Sequence, residues 1–163
     1  MVCFSLGSNL GDRIEFLRQA LQMLEERVGK MLSISSIYET EPWGVDGHQN
    51  YYNLVAWFDT KLLPDEVLET AMIIEKELGR MRIKNMIEPR TIDIDILFYN
   101  NLIIDTKSLK IPHPLIKNRN FVLVPLAEIS QGFLHPELRV TITELVKLCK
   151  DTSIIIKTDI KIK

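Results

Sequence analysis

Asp93 and Asp95 stand in Pro89-Arg90-Thr91-Ile92-Asp93-Ile94-Asp95-Ile96-Leu97-Phe98-Tyr99, a β-branched run of a kind that forms core strands and seldom carries carboxylates. Successive side chains of a strand point to opposite faces, so Asp93 and Asp95 share one face while Ile92, Ile94, Ile96 and Phe98 share the other. Two residues of rise separate the two Cα atoms by roughly 6.5 to 7 Å. Carboxylates at that spacing repel, and each raises the other's pKa unless a cation stands between them. The pair therefore predicts a site for hard cations.

Arg80, Arg82, Lys84 and Arg90 lie just before the pair, in a segment with little amphipathic regularity. Carboxylates hold a metal, and metal and guanidiniums together hold a polyphosphate, which the planar fork of arginine grips through two oxygens. Read without the carboxylates, the same segment is a solvated loop. Mg²⁺ is the ion that fits, because it takes one or two carboxylates and completes its shell with water and substrate phosphates. His113 sits between Pro112 and Pro114, which restrict its backbone, and beside Lys117 and Arg119 it reads as another anion contact. His135 has no such neighbours and reads as structural.

The elements that must position these groups follow from periodicity. Val2 to Leu6 is a strand, and Gly7-Ser8-Asn9-Leu10-Gly11-Asp12 leads into a helix with Ile14, Leu17, Leu21, Leu24 and Val28 on one side. That loop is either an anion-binding turn or a plain turn with Asp12 as helix cap; it matches no phosphate-loop signature. Met31 to Thr40 reads as a second strand. Trp43, between turn formers, either covers a ligand or folds back on the core. Tyr52 to Thr60 alternates Leu54, Ala56 and Phe58 against Asn53, Val55 and Trp57. Asn53 has an amide that suits a heterocycle edge, or it caps a turn. Pro64-Asp65-Glu66 starts a helix that Gly79 ends. Glu75 reads as an exposed charge near its end, with a binding role left open. A turn at Asn100-Asn101 is expected to bring Ile103-Ile104-Asp105 alongside the aspartate strand. Phe121 to Ile129 and Thr141 to Lys150 read as helices, and residues 151–163 as an edge strand or a tail.

At 163 residues, with 46% hydrophobic and 26% charged residues, the chain fits one globular domain spanning residues 1–163. It contains no apolar run long enough for a membrane span and no signal-peptide pattern, so a cytoplasmic protein is expected. Cys3 and Cys149 read as reduced core thiols. A net charge of -2 argues against bulk affinity for nucleic acid, and no nucleic-acid partner is expected.

Six motifs in order resemble the 6-hydroxymethyl-7,8-dihydropterin pyrophosphokinase family of folate biosynthesis. They are Leu6-Gly7-Ser8-Asn9-Leu10-Gly11-Asp12, Tyr38-Glu39-Thr40-Glu41-Pro42-Trp43-Gly44, Tyr51-Tyr52-Asn53, Glu75 through Arg80 to Arg82, Pro89 to Asp95, and Pro112-His113-Pro114 through Arg119 to Phe121. The resemblance runs to about residue 136. It implies an α+β, ferredoxin-like βαββαβ core sheet with helices packed on it and extra C-terminal strand and helices. The implied reaction transfers the β,γ-diphosphate of ATP to the pterin hydroxymethyl group and releases AMP. Asp93 and Asp95 would ligate two Mg²⁺ ions bridging the ATP phosphates. Arg82, Arg90, His113 and Arg119 would hold the nucleotide, with Arg80 and Glu75 at the same site. Gly7, Thr40, Pro42, Trp43, Tyr51, Asn53 and Phe121 would line the pterin pocket. The partners are then small molecules, ATP and the pterin, bound by a monomer. Where the family often has a tryptophan in its arginine loop, this chain has Met86-Ile87, which makes Ile87 the candidate lid residue.

Two other readings use the same residues. A palm-type nucleotidyl transferase also sets paired aspartates on a ferredoxin-like sheet, but it gives no account of Trp43 and Asn53. A non-enzymatic RNA-binding module needs sheet aromatics and a basic face, and Asp93 with Asp95 would repel phosphates.

Overall fold

The first strand is buried along its whole length: β1, Val2–Ser8, has apolar neighbours on both faces and forms the middle of the sheet. Helix α1, Arg13–Arg27, begins where the Asp12 carboxylate accepts the Glu15 N–H at 3.1 Å, so Asp12 is a helix cap. Its buried side is Leu17, Ala20, Leu21 and Leu24. Strands β2, Gly29–Ile34, β3, Tyr38–Thr40, and β4, Tyr51–Thr60, follow, then α2, Pro64–Glu77, with Pro64 and two acids in its first turn. Strand β5, Asp93–Tyr99, carries the carboxylates. Short strands β6, Ile104–Asp105, and β7, Lys110–Ile111, precede a 3-10 turn at Ile116–Asn118. Helices α3, Asn120–Ser130, and α4, Ile142–Leu148, and strand β8, Ile155–Lys157, complete the order. The structure, a computed structural model, describes residues 1–42, 49–80 and 89–162.

The main sheet is antiparallel in the order β5-β1-β4-β3-β8, with β2 also paired to β4. Helices α1 and α2 cover one face around Phe4, Leu54, Phe58, Ile94 and Ile96. Helices α3 and α4 cover part of the other around Cys3, Val55, Trp57, Leu97 and Phe98. Burial on both sides explains the nearly unbroken apolar run of β4. The sequence β1-α1-β2/β3-β4-α2-β5 is the expected βαββαβ core, and β8 with α3 and α4 are the C-terminal additions. Cys3 and Cys149 are both free thiols. No helix among the described residues is long and apolar enough to cross a membrane.

Three expectations are corrected. The single strand expected over Met31 to Thr40 is two, because Ser35 interrupts the ladder: its N–H donates to the Val55 carbonyl at 2.9 Å and its hydroxyl accepts the Val55 N–H at 3.0 Å. Ser36, next along, gives its N–H and hydroxyl to Glu128 of α3. Ile104 and Asp105 do not extend the main sheet beside β5; they pair with Ile111 and Lys110 in a separate ribbon. The chain returning to β5 carries Pro112, which has no N–H for a ladder, and the next residue makes one bond, His113 N–H to the Leu97 carbonyl at 3.0 Å. Phe98 does not share a face with Ile92, Ile94 and Ile96. Cys3 pairs Phe98 while Phe4 pairs Ile96, so Leu97 is an extra, bulged residue and the alternation flips beyond it. Phe98 thus joins the α3 side, with its ring centroid 4.8 Å from that of Phe133.

Candidate active site

Register lines up the candidate residues. Asn53 of β4 stands opposite Gly7 of β1, and Gly7 opposite Asp93 of β5; on its other side Asn53 pairs with Tyr38, two residues before Thr40 on β3. The period of two puts Thr40, Tyr51, Asn53, Gly7, Asp93 and Asp95 on the face that α3 covers only in part. A Cβ at Gly7 would lie 2.5 Å from Asn53 Oδ1, so Gly7 leaves the space the amide occupies. Asn53 is 4% exposed and donates through Nδ2 to Thr40 Oγ1 at 2.7 Å. Thr40 and Tyr51 are paired partners, and burial pushes the Tyr51 phenol up. Pro42, half-buried, follows β3, and Phe121 opens the first turn of α3, with the Arg119 guanidinium carbon 5.5 Å from its ring centre.

Charges meet at the edge of this patch. Arg80 donates through Nη1 to both Glu75 Oε1 and Asp93 Oδ1, and Arg90 Nη1 donates to Asp93 Oδ2. Asp95 is held more loosely: its Oδ2 lies 3.8 Å from Arg119 Nη1 and 4.0 Å from His113 Nε2. Burial, and then the charge of Asp93, push the Asp95 carboxyl up to about 7. A cation beside it reverses that shift. His113 is pushed down to about 4, by burial first and the Arg119 charge second, so its ring is neutral at pH 7. Its Nδ1 accepts the Leu115 N–H at 3.2 Å, which assigns the proton to Nε2, the nitrogen nearest Asp95.

Glu75 corrects the expectation of an exposed charge. It is 2% exposed, and Oε1 also accepts the Ile94 N–H of β5 at 2.8 Å, so helix α2 presents it inward to Arg80. Trp43, Arg82 and the lid candidate Ile87 lie outside the described residues. Asn9 belongs to the first of the six motifs, which carries no expected role for it. It is 1% exposed and bonds both Arg90 and, through Nδ2, the Gln49 carbonyl at 3.2 Å. Its signal was a polar residue directly after a buried strand. Among the described residues no group of three or more metal-ligating side chains comes together. Two oxygen-only carboxylates suit Mg²⁺, whose remaining ligands are water and phosphate.

Paired carboxylates among arginines on a ferredoxin-like sheet define the class as enzymes that transfer phosphoryl groups. The family model for 7,8-dihydro-6-hydroxymethylpterin-pyrophosphokinase (HPPK) matches residues 3–131. A 2-amino-4-hydroxy-6-hydroxymethyldihydropteridine pyrophosphokinase of Aquifex aeolicus is 42% identical over 88% of this chain and 88% of its own length. The one of Bacillus subtilis is 45% identical over 78% of this chain and 76% of its own. The crystal structure of Plasmodium falciparum HPPK-DHPS shares the fold, with a TM-score of 0.74 at 19% identity over 90% of this chain; the match spans 44% of that longer chain. The chain belongs to the HPPK family of diphosphotransferases. Membership decides against the palm-type transferase and the RNA-binding module.

Proposed function

We propose that the protein transfers the β,γ-diphosphate of ATP to the hydroxymethyl group of 6-hydroxymethyl-7,8-dihydropterin at the face shared by Asn53, Gly7, Asp93 and Asp95, a cytoplasmic step of folate biosynthesis. The observation that carries this reading is the register that aligns Asn53, Gly7 and Asp93 across three strands. A heterocycle edge reads the Asn53 amide at one end of that row, which brings its hydroxymethyl group toward the carboxylates at the other. Tyr51 and Phe121 supply ring contacts, with Thr40 and Pro42 lining the pocket and Trp43 assigned to it through the family motif alone.

The substrate hydroxyl oxygen attacks the β-phosphorus of ATP and loses its proton; the bond from the β-phosphorus to the oxygen of the α-phosphate breaks, and AMP leaves. Such transfer asks for alignment and charge neutralisation more than for a protein nucleophile. Asp93 and Asp95 would hold Mg²⁺, as two ions, and the metal would supply charge neutralisation for the triphosphate. Arg82, Arg90 and Arg119 grip phosphate oxygens, and neutral His113 donates from Nε2. Arg80 orients Asp93, with Glu75 fixing Arg80 from behind. We read the protein as a monomer, with residues 1–163 acting as one pyrophosphokinase domain. The two free thiols suit a reducing compartment.

The test is AMP release from MgATP with and without 6-hydroxymethyl-7,8-dihydropterin. Release that depends on the pterin is expected; equal release in both, or none, overturns the reading.

A further inference from the structure

Residues 132–163 lie beyond the span matched by the family, yet they return to both walls of the pocket. Helix α3 has no side-chain cap of its own, since Arg119 occupies that position and turns to Asp95. The missing acceptor comes from elsewhere. Asp151 Oδ2 accepts the Asn120 N–H at 2.9 Å, and the Asp151 carbonyl accepts from the Asn120 side chain. The second carboxylate oxygen is itself fixed by the Ser153 N–H at 3.0 Å and the Ser153 hydroxyl at 2.5 Å. Burial raises the Asp151 carboxyl, but these bonds more than offset it and hold the group below its ordinary value.

Three residues further on, the same segment reaches the opposite wall. The Ile154 N–H donates to Glu41 Oε2 at 3.2 Å, the Glu41 N–H donates to the Ile154 carbonyl at 3.4 Å, and Ile155 pairs with Thr40. Three residues span at most about 10 Å. The start of α3, carrying Arg119 and Phe121, and the end of β3, carrying Thr40 and leading to Pro42, are therefore tied by one short piece of chain.

We propose that Asp151 is a positioning residue: by capping Asn120 while its segment continues into β8, it sets Arg119 and Phe121 against Thr40 and thereby the width of the substrate pocket. This rests on the function proposed above for the same site. Losing a charged acceptor is worth about tenfold in affinity when the group it orders touches substrate.

The experiment compares kcat and KM for ATP and the pterin in the full chain carrying Asp151→Ala, Asp151→Asn or Ile160→Ala, together with amide hydrogen exchange at Asn120 without substrates. Ile160 packs on the α1–α2 side of the sheet, the face opposite the pocket residues, so Ile160→Ala controls for general destabilisation. Asp151→Ala should raise both KM values about tenfold, with kcat within about twofold, and speed exchange at Asn120. Asp151→Asn, which keeps one acceptor oxygen, should fall between, and Ile160→Ala should lower Tm without moving KM. Unchanged KM values in Asp151→Ala, or a rise matched by Ile160→Ala, overturn the proposal. If the unmodified protein releases no AMP with the pterin, the functional reading fails instead, and exchange at Asn120 still reports whether Asp151 anchors α3.

Discussion

Asn9 and Arg90 are joined twice: the Asn9 N–H donates to the Arg90 carbonyl at 3.1 Å, and the Arg90 N–H donates to Asn9 Oδ1 at 2.7 Å. With Nδ2 donating to the Gln49 carbonyl, one buried amide fixes the chain at both Gln49 and Arg90. Arg90 then meets Asp93 from a fixed backbone. A site whose charges come from separate elements of the chain depends on such anchors, because a misplacement of about 1 Å can cost a hundredfold in rate.

Asn9→Ala removes a buried acceptor and leaves the Arg90 N–H without its partner. The expected cost is about 1–3 kcal/mol of stability, read as a lower Tm, with a rise in KM for both substrates. Unchanged KM values would show that the junction supports only the fold.

Gly7→Ala puts a methyl group 2.5 Å from Asn53 Oδ1, within the space of the amide. The Asn53 side chain must shift, so pterin affinity should fall while the KM for ATP stays near its original value. Equal loss for both substrates would argue that Asn53 does not face the pterin.

With Asp95 in the proposed role of ligand for the charge-neutralising ion, Asp95→Asn should cut turnover by two or more orders of magnitude. The fold should not suffer. An acid whose folded pKa stands at about 7 against an ordinary 3.8 favours its protonated form in the native state. The stability it lends is present below its ordinary value and is lost as pH rises through about 7. In metal-free protein the Asn variant should therefore gain Tm over the unmodified chain between pH 6 and 8, and Mg²⁺ should close that gap. A scan of Tm against pH with and without Mg²⁺ measures both; a gap that Mg²⁺ leaves intact would argue against Asp95 as a ligand.

Glu128 on α3 accepts four hydrogen bonds, from the Ser36 N–H and hydroxyl, the Tyr38 hydroxyl and Lys157, which hold the chain entering β3, β3 itself and β8 to the helix. Burial pushes its carboxyl up, but these bonds outweigh it and bring it from 4.5 down to about 2. The stability it adds is present above pH 4.5 and is lost as pH falls toward 2. Glu128→Gln should cost about 2 kcal/mol at pH 7 and flatten this part of the acid unfolding curve. Superimposable acid limbs would refute the assignment.

The sequence alone determined what short-range stereochemistry controls. Strand alternation put Asp93 and Asp95 on one face, and the same rule put Asn53 with Val55 and Trp57 on one side of β4. Asp12 marked a helix start because orphan N–H groups need an acceptor within three residues, and Pro64 marked another because its fixed φ suits the first turn, where its missing N–H is not needed. What came from contacts between distant residues needed the tertiary structure. Glu75 reads as a surface acid until Arg80 and the Ile94 N–H surround it, since a buried carboxylate survives only where partners compensate its desolvation. Leu97 has nothing local to mark it as a bulge; the pairing of Cys3 with Phe98 and Phe4 with Ile96 decides it, and with it the side on which Phe98 packs. Asp151 is one acid in a polar turn until the fold brings Asn120 to it across 31 residues. Register and charge compensation are properties of the assembled chain, and they set the pair of aspartates in one row with Gly7 and Asn53 and beside Arg80, Arg90 and Arg119.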